Sequence, residues 1–139
     1  MKSVKTLIKL QKSKVDEQRR VIAEHQKALD RVEQELVELA AQQAREQEVA
    51  REKPEQALTY GQFIKWALQR TQDLHNARAA ILQALENERE VLALLFEEQK
   101  RYEIVDANRE QAEALAEEKR EQAALDETAV MNFERKSRE

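Results

Sequence analysis

The sequence predicts an all-α protein in which two long helices form an antiparallel coiled-coil hairpin. Two observations lead to this fold class. The single proline, Pro54, and the single glycine, Gly61, both lie near the middle of the chain. Apolar residues also repeat every seven positions through the first third, at Ile8, Val15, Ile22, Leu29 and Leu36. Because one helix cannot bury its own apolar strip, a second helix must cover it.

The first helix is expected from about residue 3 to about residue 52. Ser3 is a suitable N-cap, because its hydroxyl can accept a hydrogen bond from a free amide of the first turn. The a positions of the heptad are almost all apolar, whereas the d positions include Gln11, Gln18 and His25. Polar residues at such positions fix the register at a cost in stability. The seam is therefore expected to be specific but weak.

A turn is expected over about residues 53–59, because Pro54 disfavours a helix at the residue before it. Thr59 and Gln62 have the spacing of a capping box, and Leu58 and Phe63 have the spacing of a hydrophobic staple. These patterns predict a second helix from about residue 60 to about residue 133.

The second helix is expected to be the longer one and to end in an overhang. Its apolar strip follows the heptad to Tyr102 and is predicted to change phase at Val105. When the chain folds back at the turn, residues after about Ala112 have no partner within the chain. A parallel homodimer is the alternative. A short linker holds the two helices at an effective concentration on the order of millimolar, which favours the hairpin and an isolated monomer.

The composition predicts one domain and excludes several classes of function. The 139 residues carry a formal net charge of −4, which gives no drive to bind nucleic acid. There is no cysteine, hence no disulfide and no thiolate metal site. The longest apolar run, over 91–96, is far below the roughly 18 residues that span a bilayer. We therefore expect a cytoplasmic protein that does not insert into the membrane.

No enzyme and no cofactor are predicted. A hairpin two helices thick lacks the concave pocket that encloses a substrate, and one glycine cannot build a phosphate-binding loop. His25 and His75 are interpreted as residues at or beside the seam. Neighbouring carboxylates such as Glu97 and Glu98 point in different directions from a helix and cannot act as a pair.

Two segments are predicted to bind partners. At the head of the hairpin lie three of the six aromatic residues, followed by an arginine one turn later; we assign Tyr60, Phe63, Trp66 and Arg70. These rings either plug the head or form a binding patch, because Trp and Tyr are frequent in binding hot spots. Arg70 is placed to stack on Trp66. The run 91–96 is either a wider seam that also uses Val21 or a contact with a partner helix.

At the terminal end, the basic start of the chain and the overhang supply the second assignment. The N-terminal segment carries Lys2, Lys5, Lys9 and Lys12 with few acidic residues. It is either a solvated face that pairs with the acidic second helix or a docking end for an acidic partner. Together with the overhang, we assign to this end Lys5, Lys9, Lys12, Leu125, Asp126 and Phe133.

The chain resembles the FliJ family, small components of the bacterial flagellar type III export apparatus. Two segments carry most of the resemblance. The segment 60–64, Tyr-Gly-Gln-Phe-Ile, is similar to the family's Tyr-x-Gln-Phe-Ile at the start of its second helix. The segment 122–129, Gln-Ala-Ala-Leu-Asp-Glu-Thr-Ala, is similar to its C-terminal Gln-x-x-(Met/Leu)-Asp-Glu-x-Ala.

The resemblance implies a central stalk that couples the hexameric export ATPase to the cytoplasmic part of the export gate membrane protein and assists export chaperones. The protein would then lie at the periphery of the inner membrane. Phe63 matches the first position of the family's Phe-x-x-x-Leu-x-x-Ala-x-x-x-His gate-binding face. Ala67 and Leu74 do not match its later positions, and Leu68 and His75 match only after a slip of one residue.

Two other functions remain open at this point. One is an escort that cycles export chaperones without acting as a stalk. The other is an unrelated cytoplasmic coiled-coil scaffold held together by self-association.

Overall fold

The computed structural model describes residues 3–138, so Lys2 of the predicted basic segment lies outside the described part. Helix α1 spans Val4–Glu52, a 3₁₀ turn spans Pro54–Gln56, and helix α2 spans Ala57–Arg138. The two helices pack against each other, and no strand occurs within residues 3–138. The predicted all-α helical hairpin is therefore confirmed. The chain divides into two compact units, Lys14–Leu95 and Met1–Ser13 with Phe96–Glu139.

The start of α1 has the N-cap that the sequence predicts. The hydroxyl of Ser3 accepts a hydrogen bond from the backbone N–H of Thr6 at 3.2 Å, and the Ser3 carbonyl accepts one from the N–H of Leu7 at 3.1 Å. The first satisfies an amide that has no partner within the helix, which is how a cap stabilises a helix end.

The connection between the helices is shorter than predicted, and the capping box and the staple are wrong. Lys53 leaves the helical conformation, with φ −124° and ψ 87°, and α2 begins at Ala57, with φ −59° and ψ −38°. Thr59 thus lies inside α2, and Leu58 is 77% exposed rather than packed in a staple. The reason is Pro54, whose fixed φ is already suited to the first turn of a helix.

The unit Lys14–Leu95 contains an apolar seam that follows the predicted heptads. Leu39, Ala67 and Leu74 are buried together, with Val32, Leu36 and Phe63 packed on them. Along the same seam Val15, Leu29 and Leu85 are also buried. A polar layer interrupts it where the Gln18 amide donates hydrogen bonds to the backbone carbonyl and the carboxylate of Glu88.

In the second unit, the seam is built around a buried glutamine. Gln11 is 2% exposed, and its amide donates a hydrogen bond to one carboxylate oxygen of Glu98 at 3.1 Å. The other oxygen of Glu98 accepts a bond from the Tyr102 hydroxyl at 3.0 Å. The side chains thereby satisfy one another, which is what allows polar groups to be buried in a seam.

The predicted phase change at Val105 is wrong. Val105 is 46% exposed, and the next half-buried residue after Tyr102 is Asp106, four residues further on, which keeps the alternating three- and four-residue spacing of the heptad. The apolar character of Val105 suggested a shift, but the backbone keeps its period and leaves this side chain in solvent. The regular spacing of the helix, and not the hydrophobicity of Val105, decides which residues face α1 here.

The C-terminal part of α2 forms the predicted overhang. Every residue of 107–138 is exposed, although Glu110 is still reached by Lys5 of α1. The exposed side chains include large apolar ones: Leu115, Leu125, Val130, Met131 and Phe133. Nothing in the described part of the chain covers this length of helix, so its apolar side chains remain available for contacts outside the chain.

The substitution Leu85→Ala should destabilise the protein by about 2–5 kcal/mol, because Leu85 is 1% exposed and truncation leaves a cavity in the seam. Urea unfolding followed by circular dichroism measures the effect. Leu94→Ala is the matched control in the same helix, since Leu94 is 66% exposed, and it should change stability by less than about 0.5 kcal/mol. Equal effects of the two substitutions would contradict the assigned face of α2.

The bond between Tyr102 and Glu98 should make stability depend on pH at the alkaline end. Hydrogen bonding to the Glu98 carboxylate, and its charge, raise the pKa of Tyr102 above its usual value near 10. The stabilisation is complete below the unfolded-state pKa and is lost as the pH rises through the raised folded-state pKa. Wild type should therefore be more stable than Tyr102→Phe at pH 7, and the difference should shrink above about pH 10.

Urea unfolding of both proteins between pH 7 and pH 11.5 tests this. Tyr60→Phe is the control, because it removes a hydroxyl in the other unit and leaves the bond to Glu98 intact. A difference between wild type and Tyr102→Phe that stays constant across this range would show that the bond does not contribute as described.

Candidate partner-binding surfaces

The head aromatics divide into a ring that supports the core and a ring that faces solvent. Phe63 is half-buried and packs on the cluster of Leu39, Ala67 and Leu74. Trp66 is 54% exposed and lies against Phe63, with ring centroids 5.9 Å apart and planes inclined by 40°. Phe63 therefore plugs the head, as one interpretation of the sequence expects, whereas Trp66 is presented to solvent.

Arg70 binds α1 instead of stacking on Trp66. Its guanidinium donates hydrogen bonds to both carboxylate oxygens of Glu35, at 2.6 and 2.8 Å. The hydrogen bond and charge of Glu35 raise the pKa of Arg70. The arginine therefore crosses from α2 to α1 and fixes the side of the head on which Trp66 lies. A similar pair, Arg78 with Glu33 at 3.2 Å, lies further along the helices.

A groove runs beside Trp66 between the two helices. Trp66 and Arg70 of α2 line one side, and the other side is formed by four residues of α1: Glu35, Glu38, Leu39 and Gln42. Leu39, 5% exposed, supplies an apolar floor. The groove combines an exposed indole, an apolar base and charged edges, which is the chemistry of a small recognition site.

The other head residues lie on separate faces of α2. Tyr60 is half-buried. Ala67 and Leu74, at two later positions of the family's gate-binding pattern, are buried in the seam, at 0% and 3% exposure. Leu68 and His75, which match only after a slip, are exposed and lie two turns apart on one face.

Trp66 and Leu68 therefore face different directions. At about 100° per residue, Leu68 points roughly 200° away from Trp66, so one flat partner cannot cover both. Leu58, which was not among the residues assigned from the sequence, is the most exposed large apolar residue of the head. Leu58 is exposed because α2 begins at Ala57, earlier than expected. Pro54, whose φ suits the first turn of a helix, is the residue in the sequence that indicates this early start.

At the terminal end, the predicted basic residues lie on the unit that carries the overhang. Lys5 forms an ion pair with Glu110 at 3.2 Å, and the hydrogen bond and charge of Glu110, helped by Asp106 and Glu113, raise the pKa of Lys5. Lys9 and Lys12 are exposed. The basic segment thus does pair with α2 at Lys5, and it keeps exposed cations beyond that pair.

The structure does not bring these lysines together with the predicted residues of the overhang. Leu125 and Phe133 are 66% and 74% exposed, and Asp126 accepts a hydrogen bond from the Gln122 amide at 3.3 Å. At 1.5 Å per residue, Leu125 lies about 22 Å beyond Glu110, the residue that Lys5 reaches, and Phe133 lies about 35 Å beyond it. The terminal assignment therefore comprises two separate surfaces on one unit.

The apolar run that begins at Val91 is divided between two faces of α2. Leu92 and Leu95 are half-buried, whereas Val91 and Leu94 are 42% and 66% exposed. On α1, Val21 is half-buried. Part of the run thus belongs to the seam and part remains on the surface.

Neither a metal site nor a membrane span occurs in residues 3–138. No group of three or more His, Asp or Glu side chains there is placed to hold a metal ion. No described helix is both long and apolar enough to cross a membrane.

The comparison with known proteins agrees with these observations. The family model described as "Flagellar FliJ protein" matches residues 1–138. No curated protein and no solved structure matches the chain. The family match covers essentially the whole sequence. The chain therefore belongs to the FliJ family, and it is a component of the bacterial flagellar export apparatus.

Proposed function

We propose that this protein couples the hexameric export ATPase to the export gate, with a different surface for each partner. The overhang of α2 engages the ATPase as a central stalk, and the head engages the cytoplasmic part of the gate membrane protein. In this role the chain has no enzymatic activity of its own and also assists export chaperones. It acts in the cytoplasm and associates peripherally with the inner membrane through the gate.

The observation that carries the proposal is the exposed overhang. Residues 107–138 remain helical although no other residue of the described range 3–138 buries them, and they expose Leu115, Leu125 and Phe133. A helix this long that shows apolar residues to solvent is typical of a segment that binds within a larger assembly. Charged residues on the remaining positions keep it soluble until it binds.

The head supports the second half of the proposal. Trp66 presents an indole to solvent while Phe63 and the pair of Arg70 with Glu35 hold it in position. A rigid, exposed aromatic residue loses little conformational entropy on binding, so it is suited to anchor a partner. Phe63, the residue matching the family's gate-binding pattern, acts here by supporting Trp66.

Substitution of Trp66 should weaken binding to the purified cytoplasmic gate fragment. We expect Trp66→Ala to reduce affinity about thirtyfold or more, since loss of a hot-spot aromatic costs at least about 2 kcal/mol. Phe63→Ala should have a similar effect, because Trp66 loses its supporting ring. Isothermal titration calorimetry measures both affinities.

Leu94→Ala serves as the control, because it removes an exposed apolar side chain of α2 outside the head. Circular dichroism must show that each variant keeps its helical content. Unchanged affinity for both Trp66→Ala and Phe63→Ala would remove the head from the gate interface.

Truncation of the overhang should abolish stimulation of the export ATPase. A chain ending after Glu113 keeps the pair of Lys5 with Glu110 and loses Leu125, Asp126 and Phe133. We expect the rate of ATP hydrolysis to fall to that of the ATPase alone, since the segment that enters the hexamer is missing. Phosphate release under saturating ATP is the measurement.

Two full-length variants test whether stimulation depends on the side chains of the overhang or only on its length. Leu125→Ala with Phe133→Ala should reduce stimulation, because both side chains are exposed and have no role in the seam. Thr128→Ala is the control within the same segment. Full stimulation by the truncated chain would show that the overhang is not needed and would favour a chaperone escort without a stalk role.

A further inference from the structure

The groove beside Trp66 has the dimensions of a side-chain pocket. It lies between α1 and α2 within the unit Lys14–Leu95 and has a volume of about 180 Å³. An apolar cavity of about 150 Å³ in another protein holds a benzene-sized ring. The groove is open to solvent, so it has room for one bulky apolar side chain without any movement of the helices.

The base and wall of this groove are apolar. Leu39 is held at 5% exposure by its packing with Ala67 and Leu74, so the floor belongs to the rigid core. The indole of Trp66 stands at the edge and is fixed by its contact with Phe63. A side chain inserted here would remove water from the indole and from the floor, which is the favourable part of binding.

The two carboxylates at the edge of the groove, Glu35 and Glu38, differ in whether a positive charge neutralises them. Both carboxylate oxygens of Glu35 bind Arg70, so these two charges neutralise each other. Glu38 accepts a hydrogen bond from the Gln34 amide at 3.1 Å, which is neutral, and no ion pair of Glu38 is formed in residues 3–138. The edge therefore carries one uncompensated negative charge directly beside the Leu39 floor.

We propose that the groove is a peptide-binding site for a bulky apolar side chain flanked by lysine or arginine. The apolar side chain lies on Leu39 and against the Trp66 indole, and the neighbouring cation lies beside Glu38. The inference rests on the proposed function in that it gives the chemistry of the segment bound by the head. It also assigns binding to the groove face of α2, and not to the face that carries Leu68 and His75.

The test uses the full chain and its own fluorescence, because Trp66 is the only tryptophan. Three blocked seven-residue peptides with a central phenylalanine serve as probes, flanked by two lysines, two glutamines or two glutamates. Excitation at 295 nm follows Trp66 alone. The lysine peptide should shift the emission to shorter wavelength in a saturable manner and bind about tenfold more tightly than the glutamate peptide at low salt.

Variants at Glu38 test the charge specificity. Glu38→Gln should weaken the lysine peptide about two- to fivefold and leave the glutamine peptide unchanged, as expected for an exposed ion pair. Glu38→Lys should reverse the order of the lysine and glutamate peptides. Glu90→Gln, which changes an exposed carboxylate of α2 outside the groove, should have no effect.

Two results would overturn the inference. One is the absence of any shift of Trp66 emission with the lysine and glutamine peptides. The other is equal affinity for the lysine and glutamate peptides in wild type. If either occurs while Trp66→Ala still weakens binding to the gate fragment, the groove specificity fails and the head assignment stands. If the peptides bind as expected and Trp66→Ala leaves the affinity for the gate fragment unchanged, the groove binds a different partner.

Discussion

The structure depends on the mutual burial of two apolar strips, one on each helix. Neither strip can be covered by its own helix. The seam thus fixes which side of α2 faces α1, and every other surface follows from that choice. Ala67, Leu74 and Leu85 are buried because they lie on the seam, and Trp66, Leu68 and Leu94 are exposed because they lie away from it.

Two polar layers of the seam are satisfied by groups of the opposite helix, whereas the buried Nδ1 of His25 has no hydrogen-bond partner within residues 3–138. Gln11 is as well buried as the most buried apolar residues. Its amide donates a hydrogen bond to one carboxylate oxygen of Glu98, and the Tyr102 hydroxyl donates one to the other oxygen. Such layers favour one pairing of helices over others, since a shifted register would leave an amide or a carboxylate buried without a partner. These polar layers specify the register of the two helices but reduce the apolar area that the seam buries.

The same seam explains how the head presents an aromatic residue. Phe63 is anchored on the core, Arg70 is anchored on Glu35, and Trp66 lies between them in sequence with no place in the core. Its exposure therefore follows from its position on α2 away from the seam. The overhang differs, because it has no opposing helix, and its apolar side chains stay in solvent as long as the chain is alone.

The sequence by itself determined the fold class, the heptad seam, the N-cap at Ser3 and the presence of an overhang, because these follow from periodicity and local hydrogen bonding. It failed at the turn, where a capping pattern suggested a later helix start than Pro54 produces. It also failed at Val105, where one apolar residue suggested a phase change that the regular period of α2 does not make. Only the tertiary structure decided that Arg70 pairs with Glu35, that Phe63 packs on the core while Trp66 is exposed, and that a groove opens beside Leu39. These depend on which residues of α1 lie opposite α2, and a periodic pattern leaves that pairing undefined.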